Sequence, residues 1–167
     1  MSKETKQRSI EHVFELRQPK EAVWKALTSG DLIPGWYAPT AEVEPGAGGQ
    51  MTLSWGPGMA GSEAITIWEP NRRLTLEQPA GSNGLAKAVD FLLEGEGGTT
   101  TLRLIHSGFE LGADWDDEFD AYKNGWFLYL TNLQHYMDVH GPVPTAQAAA
   151  IGAYKSGDEF GVFEALT

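Results

Sequence analysis

The 167-residue sequence predicts an α+β domain: a curved antiparallel sheet of about seven strands closes on one long C-terminal helix, with an apolar pocket between them. Three observations predict it. Residues 10 to 17 alternate apolar and polar, with Ile10, His12, Phe14 and Leu16 on one face. Five turn-rich stretches cut residues 40 to 107 into short strands. Residues 118 to 139 carry an unbroken apolar stripe at helical spacing.

The elements follow in order. Period two over residues 10 to 17 reads as a half-buried strand, ended by Pro19, which lacks an N–H for the ladder. Pro19 suits a first helical turn, and Val23, Trp24 and Leu27 then share one helical face up to Gly30. Asp31 can cap a second short helix, a single helical turn that ends near Trp36. Strands are expected at 40 to 45, 50 to 55, 62 to 69, 73 to 78, 86 to 94 and 99 to 107. The turns between them hold Pro45 to Gly49, Gly56 to Gly61, Pro70 to Arg72, Pro79 to Gly84 and Gly95 to Gly98. Turns this close together indicate a meander and not βαβ units. Residues 108 to 117 read as a loop with an acidic cluster of Asp114, Asp116 and Asp117, which lacks the spacing and Gly of a calcium loop. In the helix at 118 to 139, Phe119, Tyr122, Trp126, Leu130, Leu133 and Met137 recur at steps of three or four. A helix of that length spans about 30 Å. Gly141 and Pro142 end it. The division is an extended or disordered stretch over 1 to 8, the domain over 9 to 140, and a tail over 141 to 167 that docks or forms a dimer through Phe160, Val162, Phe163 and Leu166.

Composition sets limits. There is no Cys, which excludes disulfides, thiolate metal sites and cysteine nucleophiles and fits a reducing, cytoplasmic setting. The start, MSKETKQRS, has no apolar region after it, so no secretory signal is expected. A net charge of −11 argues against nucleic acid and anionic membranes as partners, since both require Lys and Arg to replace counterions. Apolar runs are too short for a membrane span.

The element order and several motifs resemble the heat-shock-protein-90 ATPase-activator-like family of the START-like superfamily, which has the helix-grip fold of the birch-pollen allergen. Pro19-Lys20-Glu21-Ala22-Val23-Trp24-Lys25-Ala26-Leu27-Thr28 is similar to the family's first-helix segment. Trp36, Gly48-Gly49, Pro70-Asn71-Arg72-Arg73-Leu74, the run from Thr101 to Phe109, and Gly125-Trp126 with Leu130, Leu133 and Tyr136 follow in the same order. The likeness covers residues 8 to 140. Gln18 departs from the usual Ala, and the tail from 141 has no counterpart.

The resemblance implies that the first and last strands pair antiparallel, which brings His12 and His106 together on the apolar face at one end of the pocket. They serve there as a polar anchor, a proton-transfer pair or part of a metal site. The plainer reading is two half-buried histidines satisfied by backbone or Tyr hydroxyls. Glu63 is the one further ligand that a metal would have, so no metal and no cofactor are expected. The pocket candidates are His12, Phe14, Trp55, Trp68, Phe91, Leu104, His106, Tyr122, Trp126 and Leu130. Trp24 reads as core. Gly125 either widens the cavity or, the preferred reading, lets the helix approach a neighbour. The Gly56 to Gly61 loop lacks the Lys and Ser/Thr of a phosphate loop and reads as a hairpin loop or a lip over the pocket.

The expected function is binding of a small hydrophobic molecule between sheet and helix. The alternatives are a polyketide-cyclase- or hydrolase-like enzyme using the pocket histidines, and a chaperone-ATPase-activator-like interaction module. A homodimer is expected through the tail.

Overall fold

The computed structural model describes residues 7–80 and 85–141. Seven strands, β1 (Gln7–Leu16), β2 (Thr40–Val43), β3 (Gln50–Ser54), β4 (Ala60–Glu69), β5 (Arg73–Gln78), β6 (Lys87–Glu94) and β7 (Thr100–Glu110), form one antiparallel sheet in the order β1-β7-β6-β5-β4-β3-β2. From β2 to β7 each strand pairs with the next in sequence, which is the meander that the turn spacing predicts. The first strand then pairs with the last, with Ile10 opposite His106, His12 opposite Leu104 and Phe14 opposite Leu102.

A long helix, α2 (Ala113–His135), continues through a π turn (Tyr136–His140) and packs on the curved sheet. Trp126, Leu130, Leu133 and Met137 are buried, four members of the predicted stripe. Each fully buried side chain of this kind contributes about 1.5–3 kcal/mol. The first helix, α1 (Lys20–Thr28), buries Val23, Trp24, Ala26 and Leu27. Trp36 donates its indole N–H to the Ala26 carbonyl at 2.9 Å, tying the following turn to that helix.

The local elements refine the expectations. After α1 the short helical turn is a three-residue 3-10 helix (Ile33–Gly35) ending at Trp36, with Leu32 and not Asp31 at its N-cap. Between Gly30 and Trp36 there is too little chain to offset the cost of an α-helical nucleus, and Pro34 removes a donor. The last strand runs past residue 107 because Gly108, at φ +94°, makes a bulge: two residues separate His106 from Phe109 where only Ser9 separates Arg8 from Ile10. A Cβ at Gly108 would collide with the Ala86 carbonyl oxygen. The long helix begins at Ala113 and not at 118, so the acidic cluster lies in its first turns. Asp114 and Asp116 there face the positive end of the helix dipole. The tail expected to dock or dimerise, from residue 142 on, lies outside the described residues. Among the described residues no helix is long and apolar enough to cross a membrane.

Candidate functional site

Facing residues of β3, β4 and α2 leave a cavity of about 630 Å³ between sheet and helix. Its walls carry Tyr37, Trp55, Tyr122, Trp126 and Tyr129, with Leu53 and Val89 as aliphatic floor and Glu63, Gln78 and His106 as polar points. Two glycines open it. A Cβ at Gly61 on β4 or at Gly125 on α2 would meet nothing within 4 Å. Gly125 therefore widens the cavity, and the expected close approach to a neighbouring element is absent.

Tyr37 is the hub of the aromatic wall. Its ring stacks between Trp36 at 5.1 Å and Trp126 at 5.4 Å, and meets Trp55 at 5.4 Å and Tyr129 at 4.6 Å nearly at right angles. These are favourable edge-to-face and offset geometries, each adding about 0.5–1.5 kcal/mol beyond burial. Burial, and then the nearby Glu63 carboxylate, hold the Tyr37 hydroxyl well above its ordinary pKa, so it stays protonated.

His106 is 2% exposed. Trp126 donates its indole N–H to Nδ1 of His106 at 2.9 Å, which fixes the neutral imidazole with its proton on Nε2. Burial, with Lys87 adding to it, pushes the His106 pKa down to about 4. Its Nε2, like the indole nitrogen of Trp55, has no hydrogen-bond partner among the described residues. The ring lies edge-on to Phe109 at 4.6 Å and Tyr122 at 5.3 Å.

Glu63 faces inward because it pairs with Met51, a buried residue of β3. Gln78 donates to its Oε1 at 2.9 Å. Burial raises the carboxyl's pKa, and the Gln78 hydrogen bond opposes that. No group of three or more His, Cys, Asp or Glu able to hold a metal is present among the described residues.

Of the ten sequence candidates, Trp55, His106, Tyr122 and Trp126 line the cavity. Phe91 borders only a small adjoining void of about 10 Å³. Leu104 and Leu130 are fully buried in the core. Trp68 turns away and packs edge-on against Trp24 at 5.1 Å. Phe14 meets Phe127 at 5.9 Å on the β1 side of the helix. His12 does not line the cavity either. The sheet register makes His12 and His106 diagonal neighbours on one face, about 7–8 Å apart by ordinary sheet geometry. The helix lies over both and divides them. His12 donates Nε2–H to the Lys123 carbonyl at 3.0 Å and packs on Phe127, whereas His106 meets Tyr122 and Trp126. Tyr37, Gln78 and Tyr129 are missing from the sequence candidates. Tyr129 alone had a signal, standing three residues after Trp126 on the same helical face.

The family model described as Activator of Hsp90 ATPase homolog 1-like protein matches residues 17–138, the stretch whose motifs resemble that family. Among solved structures, a Mesorhizobium loti protein is similar with a TM-score of 0.66 at 25% identity, covering 78% of this chain and 96% of its own. The Aha1 dimer from Colwellia psychrerythraea has a TM-score of 0.66 at 19% identity, with 79% of this chain and 97% of that chain covered. A protein in the dynemicin biosynthetic locus has a TM-score of 0.66 at 20% identity and covers 82% of this chain and 49% of its own. At these identities the last two likenesses show the fold alone. No curated protein matches the chain by sequence.

Proposed function

The chain belongs to the Activator of Hsp90 ATPase homolog 1-like family, and from that premise we propose that it binds a small, largely apolar molecule in the cavity between sheet and α2. The observation that carries this reading is the cavity itself. Its volume of about 630 Å³ lies within the range of roughly 300–1,000 Å³ common for small-molecule sites. It is walled by aromatic rings with a few polar points, and a helix glycine keeps it open where alanine would be the more stable choice.

Titration with an environment-sensitive dye and a panel of hydrophobic competitors tests it. The wild type takes up dye, and Gly125→Leu, which fills the cavity, loses most of that uptake while keeping its far-ultraviolet dichroism. Equal uptake by the two proteins, or none by the wild type, overturns the reading. The enzyme alternative is weaker on geometry. Of the two histidines only His106 reaches the cavity, and Trp126 already occupies its Nδ1. A homodimer is supported by the dimeric Colwellia relative. A monomer mass for the full chain in light scattering sinks that part.

A further inference from the structure

We propose that this pocket selects a molecule carrying an ammonium group on an apolar body, with Glu63 and the surrounding aromatic faces receiving the cation; this rests on the pocket reading above. The charge inventory of the walls is the argument. Among the described lining residues Glu63 is the only Asp, Glu, Lys or Arg. His106 adds no positive charge, because its Nδ1 accepts from Trp126 and an imidazolium has no accepting nitrogen. Lys87, whose charge acts on His106, is not a lining residue. It is paired with Glu118 at 3.0 Å, and its Nζ sits 5.1 Å from the Phe109 ring centroid and 5.4 Å from that of Tyr122.

An acceptor stands ready. Gln78 uses one lone pair of Glu63 Oε1, and a carboxylate offers about four such sites, so most of its charge remains open to a ligand cation. The rings of Tyr37, Trp55, Trp126 and Tyr129 line the same cavity as Glu63. Ring faces attract ammonium groups, most strongly where water is excluded. The whole-chain charge of −11 adds to this by drawing cations and repelling anions. A carboxylate ligand would instead meet Glu63 with no counter-charge among the described lining residues.

Calorimetry with three matched probes tests the inference: phenylpropyl-trimethylammonium, its neutral isostere with carbon in place of nitrogen, and phenylbutyrate. The wild type should bind the ammonium at least about tenfold more tightly than the isostere, and phenylbutyrate most weakly. Glu63→Gln, which keeps size and hydrogen bonding, should abolish the preference, read as the ratio of ammonium to isostere affinity within the same variant, while Glu63→Asp retains part of it. Equal binding of ammonium and isostere, or a preference that survives Glu63→Gln in a cooperatively melting protein, overturns the ammonium assignment and leaves the pocket standing. Failure of all three probes to bind overturns the pocket reading as well.

Discussion

Trp126 of α2 hands its indole proton to Nδ1 of His106 on β7 across 2.9 Å. This one hydrogen bond joins the helix to the sheet at the cavity wall. It also selects the tautomer of a histidine that a half-buried strand position leaves undecided. Trp126→Phe removes the donor and leaves Nδ1 buried without a partner. We expect a loss of about 1–2 kcal/mol from that bond, added to the packing lost with the smaller ring. His106 should also titrate closer to its ordinary value. Chemical denaturation and the imidazole resonances in an NMR titration read both effects; an unmoved His106 titration would show that the indole does not hold the tautomer.

The same histidine makes stability depend on pH in a defined direction. Its pKa is about 4 folded and about 6.5 unfolded, so between those values the unfolded chain binds the extra proton. Stability is therefore fully present above pH 6.5 and falls as pH drops toward 4. The loss from this group is about 3 kcal/mol, at about 1.4 kcal/mol per tenfold change in proton affinity. Glu63, whose pKa is raised by burial, contributes in the opposite sense, its stabilisation being lost as pH rises through the folded value. The difference between wild type and His106→Gln isolates the histidine. Parallel stability–pH curves for the two proteins would refute the assignment.

Gly125 lies within a 23-residue helix yet has open space where a Cβ would stand. Gly125→Ala should raise stability by about 1 kcal/mol through helix propensity alone. Dye affinity should fall modestly as the cavity narrows. A destabilised Gly125→Ala protein would mean that a neighbour does approach the helix there.

Gly108 is the opposite case. At φ +94° beside the Ala86 carbonyl, it has no room for a Cβ. Gly108→Ala should cost more than about 1–2 kcal/mol, the usual strain of a side chain in the left-handed region. A melting temperature equal to wild type would show that the bulge relaxes without cost.

Much of this arrangement is legible along the chain. Parity in residues 10 to 17 puts Ile10, His12 and Phe14 on the helix side of β1, and that is the face β7 pairs with through His106, Leu104 and Leu102. Steps of three and four from Trp126 to Met137 locate the buried stripe of the helix. Local periodicity decides which face a residue occupies, because strand and helix geometry repeat every two and 3.6 residues. Periodicity is silent on what lies opposite that face. Leu104 and His106 share a face, yet one is sealed in the core and the other borders the cavity. His12 and His106 share it too, yet the crossing helix sends them to Lys123 and Trp126 respectively. The bulge at Gly108, the inward turn of Glu63 opposite Met51, and the meeting of Tyr37 with Tyr129 across 92 positions of sequence arise from register and helix placement. Residue periodicity and turn spacing suffice for a sheet that closes on a helix with aromatic residues between them. Which of those residues enclose empty space is set by packing across the whole fold, since a cavity is a property of how distant surfaces fail to meet.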